Sequence, residues 1–254
     1  MITLEYRHPQ ATHIAPLGHA SVAYLLVRSR RSSIGLEVGA QGLTVRAPAR
    51  ATLGNIESVL QDKARWVLSK LGERQQRVDQ TPQIEWQQGG TLPYLGGQLQ
   101  LQLHPHAPRG GELLAIAAGR WVLHLPLAPD SSAAVVRAVV NAWWLRHARE
   151  LFTQRLEHFA APMGVQWRSL RLSNARTRWG SAKTDGSIML NWRLLHFSAP
   201  VLDYVVVHEL AHLRVMDHSP RFWAVVQQTC PDYAALRQQL KTQPTPDWKI
   251  AELE

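Results

Sequence analysis

Residues 205–213 read Val-Val-Val-His-Glu-Leu-Ala-His-Leu, and a further histidine, His218, follows six positions after His212. The pattern is His-Glu-x-x-His, in which His208 and His212 stand four residues apart. On a helix such side chains lie on one face, with Cβ atoms about 5–6 Å apart, so both imidazoles can reach one metal ion. Glu209 stands beside the first histidine, where a carboxylate can hold a water molecule as general base. The stretch therefore predicts a helix that carries a metal site.

The residues around this motif favour a buried helix. Ser198 is a good N-cap residue, and Pro200 suits the first helical turn. From Val201 to Val215 no residue breaks a helix, and apolar residues nearly surround the axis. Polar side chains in a buried helix are costly unless they are partnered or bind a metal. This cost favours the metal interpretation over a pair of histidines satisfied within the core.

The third ligand is less directly indicated, since catalytic zinc sites have three protein ligands. His218 is the first candidate, because a short turn at Met216–Asp217 can bring it back to the metal. Its spacing equals that of metzincins, yet Val215 replaces the glycine of that pattern and no methionine follows His218. A β-branched residue resists positive φ, so the metzincin helix ending is not expected. Asp217 or an acid of the last helix, such as Asp232, remain alternative ligands.

Length and composition bound the class of protein. The chain has 254 residues, enough for one large domain or two small ones, with apolar and charged contents that are ordinary for a globular protein. Cys230 is the one cysteine, which excludes a disulfide within the chain and a cysteine-based zinc site. The start, 1–7, lacks the pattern of a signal peptide, and no run of 18 apolar residues is present. We therefore expect a cytoplasmic protein with no membrane partner.

The charge balance favours anionic partners. The net charge is +9, from 28 lysines and arginines against 19 acids, which suits nucleic acid, nucleotides or acidic surfaces. The arginines form no long basic run, so a merely basic protein is equally expected. Six cations precede the motif helix, against the single acid Asp185 within 165–198: Arg168, Arg171, Arg176, Arg178, Lys183 and Arg193. They predict a positive cleft mouth, where Arg176 or Arg178 either stabilises a developing anion or is a solvated loop residue.

Local patterns divide the chain into four predicted segments of an α+β protein. They are an irregular tail (1–20), a β-rich part with one helix (21–129), a catalytic domain (130–245) and a loose end (246–254). In the β-rich part, Thr52 caps a helix to about Glu73, and 75–90 reads as a loop. In the catalytic domain, Ser131–Ala161 reads as one long helix, and Ser219 with Pro220 begins a helix after His218.

Several motifs together resemble the YgjP-like metallopeptidase family, which is related to the SprT-like and WLM zinc proteases. The matching residues are RWGS at 178–181, Gly186, Ile188, LNWRL at 190–194, Pro200, DYVVVHELAHL at 203–213, HS at 218–219 and FW at 222–223. SRR at 29–31 and LPYLG at 92–96 extend the resemblance over roughly residues 21–240.

The resemblance implies a zincin-like fold with a β-rich N-terminal part. It also implies that His208, His212 and His218 bind zinc (Zn²⁺) and that Glu209 is catalytic. The strand Ile188–Asn191 stands just before the motif helix, where zinc proteases commonly have an edge strand that pairs with an extended substrate; the alternative is an ordinary sheet strand. The chain departs from the family at Ala182, where a cysteine usually follows Trp-Gly-Ser, so no thiol can act there.

Three functions are compatible with these residues. The first is a zinc-dependent hydrolase, most simply a peptidase that acts on peptides or proteins. The second keeps the metal chemistry and hydrolyses a phosphoanhydride in a nucleotide, which a basic cleft favours. The third is a nucleic-acid-associated protein that acts on DNA-bound proteins, as the SprT-like relation implies. No basic recognition helix or array of base-stacking aromatics supports direct reading of a nucleic-acid sequence.

Overall fold

The computed structural model describes residues 4–175, 177–246 and 248, except the side chains of Arg77 and Gln80. The chain is a mixed α+β protein, as predicted, and it divides into two compact units, Met1–Thr81 and Pro82–Glu254. The predicted boundary between residues 129 and 130 differs from this division. Strands within 91–125 share one hydrophobic core with the helices that follow them, a tertiary relationship that local patterns do not report. None of the helices in the described part of the chain is both long enough and apolar enough to cross a membrane.

The first unit is a five-stranded sheet with two helices. Its elements are β1 (Leu4–Arg7), β2 (His13–Leu17), β3 (Ala20–Ser29), β4 (Gly35–Gly39), β5 (Gly42–Pro48), α1 (Leu53–Asp62) and α2 (Ala64–Gln80). The strand order is β1-β3-β5-β4, and β2 pairs antiparallel with β3. Apolar side chains at helical spacing, among them Ile56, Leu60, Val67 and Leu71, pack with Leu43 and Val45 of β5. Burial of these side chains fixes both helices to the sheet.

Two sequence predictions for this unit differ from the structure. The predicted irregular tail contains β1 and β2, because Ala15 and Leu17 alternate into the core although Pro16 stands between them. The predicted single helix is two helices, since Lys63 (φ −102°, ψ 10°) interrupts it, and α2 continues into the predicted loop. Thr52 is the N-cap as predicted, and its Oγ1 accepts a hydrogen bond of 3.2 Å from the N–H of Asn55.

The second unit has two small sheets and four helices. Its elements are β6 (Thr91–Tyr94), β7 (Gly97–Leu103), β8 (Glu112–Ala117), β9 (Arg120–Leu125), α3 (Ala133–Ala160), β10 (Ser169–Ser173), β11 (Gly180–Ala182), β12 (Ser187–Asn191), a 3₁₀ helix (Trp192–His196), α4 (Ala199–His212), α5 (Pro220–Thr229) and α6 (Tyr233–Thr242). The strand orders are β6-β7-β9-β8 and β10-β12-β11.

Helix α4, which carries the His-Glu-x-x-His motif, is the centre of this unit. It packs against α3, α5, α6 and β11, and it is buried almost all round, as its sequence predicted. The Arg155 guanidinium of α3 binds Asp203 of α4 through two hydrogen bonds of 2.6 and 2.9 Å. A bidentate pair of this kind fixes the rotation of one helix against the other.

The prediction that Ile188–Asn191 is an edge strand is wrong. β12 runs parallel to β10 on one side and antiparallel to β11 on the other, so it is the central strand of its sheet. The strand beside α4 is β11, which has three residues. So short a strand leaves no alternation to detect in the sequence. The free edge of this sheet nearest to the motif therefore belongs to Gly180–Ala182.

One described residue of the predicted loose end, Trp248, lies in the core. Of residues 246–254 the structure describes Pro246 and Trp248, and Trp248 is almost fully buried. Its indole packs against Trp86, Trp144 and Trp192, and its Nε1–H donates a hydrogen bond of 2.7 Å to Nε2 of His196. The large aromatic ring and its satisfied N–H together stabilise Trp248 in the core.

Candidate metal centre

The end of α4 and the turn after it bring the predicted ligands together. α4 ends at His212, and the N–H groups of Arg214 and Val215 return to the carbonyl of Ala211. Among the described non-glycine residues only Leu95 has a positive φ, so this turn uses no left-handed residue. The chain turns without the glycine of the metzincin pattern, as Val215 predicted. His218 then faces α4, with its Nε2 3.2 Å from Nε2 of His208.

The geometry fits a metal ion held by three imidazoles. One ligand nitrogen each from His208, His212 and His218 lies within 4.8 Å of the other two. His212 Nδ1 lies 3.3 Å from the carbonyl of Val215, so its N–H donates there and leaves Nε2 with a free lone pair. Three imidazole nitrogens that face one point are a donor set for a divalent transition metal.

The protonation states of the ligand residues suit this role. Burial, followed by the charges of His212 and His218, lowers the pKa of His208 to about 3. Burial also lowers the pKa of His212. Both imidazoles are therefore neutral near pH 7, which is the form that binds a metal.

The alternative third ligands lie outside this cluster. Asp217 accepts a hydrogen bond of 3.1 Å from the N–H of Ser219 and so closes the turn before α5. Asp232 is the residue before α6, and its carbonyl accepts from the N–H groups of Ala235 and Leu236. Neither carboxylate belongs to the group of ligand atoms found among the described residues, so the geometry favours His218.

Glu209 lies on the β11 side of α4. Its side chain is buried, with 4% of the residue exposed, and burial raises its pKa to about 8. Its Oε2 is buried without a hydrogen-bond partner in the described structure. A Cβ on Gly180 would lie 2.7 Å from its Cδ and 2.8 Å from its Cγ. A buried carboxylate with an unused acceptor beside three imidazoles can hold and deprotonate a water molecule.

Aromatic rings hold the imidazoles in place. Phe222 of α5 lies 4.5 Å from His212 and 4.9 Å from His208 and His218, measured between ring centroids. Trp223 stacks on His218 at 5.8 Å. The sequence pointed to this pair, and to Gly180, only through the motifs that resemble the family. The positions of Phe222 and Trp223 beside the ligands depend on how α5 packs on α4.

The predicted cationic residues are only partly where the sequence placed them. Arg176 lies outside the described residues. Arg178 is exposed, and its backbone carbonyl accepts a hydrogen bond from Asn191 Nδ2. Arg193 lies over the Trp192 ring at 4.4 Å and bonds to Asn174. The structure therefore places Arg193 against Trp192 and Asn174, and among the described residues it gives no contact between Arg178 and the histidine cluster.

Comparisons with known proteins agree with the motif. A scan of protein families matches residues 32–243 to the YgjP-like metallopeptidase domain. Among solved structures, the chain is similar to the metallopeptidase zymogen abylysin of Pyrococcus abyssi, with 25% identity over 38% of this chain and 99% of that chain, at a TM-score of 0.33. A search of curated proteins gave no match. The matched family domain spans most of the chain, and the protein belongs to the YgjP-like metallopeptidase family that its sequence resembles.

Proposed function

We propose that the protein is a zinc-dependent peptidase in which His208, His212 and His218 hold the metal and Glu209 is the general base. The observation that carries the proposal is the convergence of three imidazole nitrogens within 4.8 Å, beside a buried glutamate with an unpartnered oxygen. Membership of a metallopeptidase family supports the same chemistry. An imidazole set is one that zinc prefers.

The chemistry divides between the metal and the chain. When bound, zinc polarises the scissile carbonyl, acidifies the attacking water and, by its charge, favours the ionised form of Glu209. Glu209 takes the proton of the water on Oε2 and transfers it to the leaving amine. Burial of this carboxylate strengthens it as a base and keeps competing water away from its oxygens.

A free strand edge supports a peptide substrate. β11 pairs with β12 along one side, and its residue Gly180 lies against Glu209. An extended peptide can add to such an edge through backbone hydrogen bonds, which would hold it beside the general base. Neither the family nor the site geometry supports the nucleotide and nucleic-acid alternatives, so we propose neither.

The test compares wild type with Glu209→Gln on a panel of peptides and denatured proteins. Both proteins are loaded with zinc, and the metal content is measured for each. We expect Glu209→Gln to retain the metal and to lose activity by about 10²–10⁴-fold, the range for general acid–base catalysis. Glu157→Gln, at an exposed position of α3, is the matched control. Unchanged peptide cleavage by Glu209→Gln would contradict the assignment of the base.

A further inference from the structure

Trp223 of α5 connects the metal centre to α6. One face of its ring stacks on His218 at 5.8 Å, and His208 lies 5.7 Å away. Tyr233, at the start of α6, stacks on Trp223 at 5.2 Å with an interplanar angle of 17°. Both aromatic residues are only half-buried. They form a partly exposed wall, which we call the Trp223–Tyr233 wall, beside the ligands.

Arg237 places a positive charge on this wall. It follows Tyr233 by four residues, one helical turn, and its Cζ lies 5.0 Å from the centre of the Trp223 ring. A guanidinium at this distance is held by a cation–π interaction. The side chain is exposed, and among the described residues it has no hydrogen-bond or ion-pair partner. Its donors are therefore free for a ligand.

No acid of the described residues forms an ion pair with Arg237, and Asp203 of the neighbouring helix α4 is paired with Arg155. Its Cζ lies 5.0 Å from the centre of the Trp223 ring, and that ring lies 5.7 Å from His208 and 5.8 Å from His218. One aromatic ring therefore separates the guanidinium of Arg237 from the metal centre.

We propose that Trp223, Tyr233 and Arg237 form a substrate subsite that binds a carboxylate, either an acidic side chain or the free C-terminus of a peptide. The inference rests on the peptidase function proposed above. The guanidinium can form two parallel hydrogen bonds with a carboxylate. The exposed parts of the Trp223 and Tyr233 rings can contact the apolar part of the substrate residue that carries this carboxylate. An extended chain advances about 3.3 Å per residue, so the recognised carboxylate lies on the order of one to three residues from the scissile bond.

The test uses zinc-loaded enzyme and matched peptides. A neutral, C-terminally amidated peptide that the enzyme cleaves receives a single Glu or Gln at each of the three positions on either side of the bond. A parallel set ends in a free carboxylate at these distances. For each peptide, kcat and KM are measured at low and high salt with wild type, Arg237→Gln and Arg237→Glu. Arg120→Glu, on β9, is the control with the same charge change as Arg237→Glu.

We expect one position at which wild type prefers Glu over Gln by about two- to fivefold, mostly in KM, as for an exposed ion pair. A preference seen only in the parallel set identifies the C-terminus as the source of the carboxylate. Arg237→Gln should remove the preference, and Arg237→Glu should reverse it in favour of Gln, whereas Arg120→Glu should keep it. The preference of wild type for Glu should be weaker at high salt than at low salt.

An unchanged ratio of Glu to Gln in Arg237→Glu would overturn the subsite, as would the absence of a preference in wild type. Failure of the proposed function has a different signature, in which no peptide shows cleavage that depends on Glu209. In that case Glu and Gln versions of one neutral, C-terminally amidated peptide are bound to Glu209→Gln, and the fluorescence of the protein measures each affinity. Equal affinity for the Glu and Gln peptides would refute it.

Discussion

Gly180 and Glu209 are packed so closely that no side chain fits between them. A Cβ on Gly180 would approach the Cδ of Glu209 to 2.7 Å and would overlap Oε1. The φ of Gly180 is not positive, so the backbone does not require glycine there. The requirement is for space alone, and the main chain of β11 thereby sets the position of the carboxylate.

Gly180→Ala should therefore displace Glu209 and leave the three histidines in place. We expect kcat to fall by one to two orders of magnitude, since a misplacement of about 1 Å can cost 10²-fold. Zinc content should match that of wild type, and KM should change less than kcat. Ser181→Ala, on the same strand, is the control. Wild-type kcat in Gly180→Ala would show that Glu209 is not positioned by β11.

Removal of one histidine should weaken metal binding strongly. His218→Ala leaves the two nitrogens of α4, and we expect zinc affinity to fall by more than the roughly 10–100-fold typical of partners outside the coordination shell. Competition with a chelator measures the affinity. Zinc at a free concentration 100 times the Kd stabilises the wild-type protein by about 2.7 kcal/mol. The rise in melting temperature that zinc causes in wild type should therefore disappear in the variant. The exposed His158→Ala is the control, and an unchanged affinity in His218→Ala would exclude this residue as a ligand.

The Arg155–Asp203 pair should contribute measurably to the stability of the second unit. Its side chains are 30% and 23% exposed, and its two hydrogen bonds are charge-assisted. We expect the coupling free energy between Arg155 and Asp203 in a double-mutant cycle to be about 1–3 kcal/mol. The Arg46–Glu37 pair of the first unit is 48% and 62% exposed, and its coupling in a double-mutant cycle should stay below about 1 kcal/mol. Equal couplings for the two pairs would contradict the role of burial.

His196 should make the protein less stable in acid. Its Nδ1–H donates a hydrogen bond of 2.8 Å to the carbonyl of Pro93, and its Nε2 accepts one from the indole N–H of Trp248. A second proton on the ring would have to bind Nε2, where it would face that N–H. Burial lowers its pKa to about 3, whereas the unfolded value is about 6.5. Between these values the unfolded state binds more protons, so stability falls as pH decreases below about 6.5.

The slope that His196 contributes should approach about 1.4 kcal/mol per pH unit. Urea unfolding of wild type and His196→Gln from pH 7.5 to 5 measures the difference in slope, which removes the contribution of the other groups. A constant difference in unfolding free energy over this range would show that His196 does not bind a proton on unfolding.

The sequence predicted the features that local patterns encode. His208, Glu209 and His212 were found because a helical period places them together, and Val215 predicted the absence of a glycine-type turn. The division at Thr81 and the core position of Trp248 depend on contacts between distant segments, which no local pattern reports. The edge position of β11 could not be predicted either, because three residues are too few to show a period.

If a substrate pairs with β11 as proposed above, the shortness of this strand also limits what can be cut. Three residues offer few backbone hydrogen bonds, and they can be made only with a chain whose own N–H and C=O groups are free. A segment already committed to a helix or sheet of its own protein cannot meet this condition until it opens. For a peptidase of this design, the rate of cleavage of a folded target follows the population of its locally unfolded state, so the conformational stability of the target, before its sequence, decides which chains are degraded.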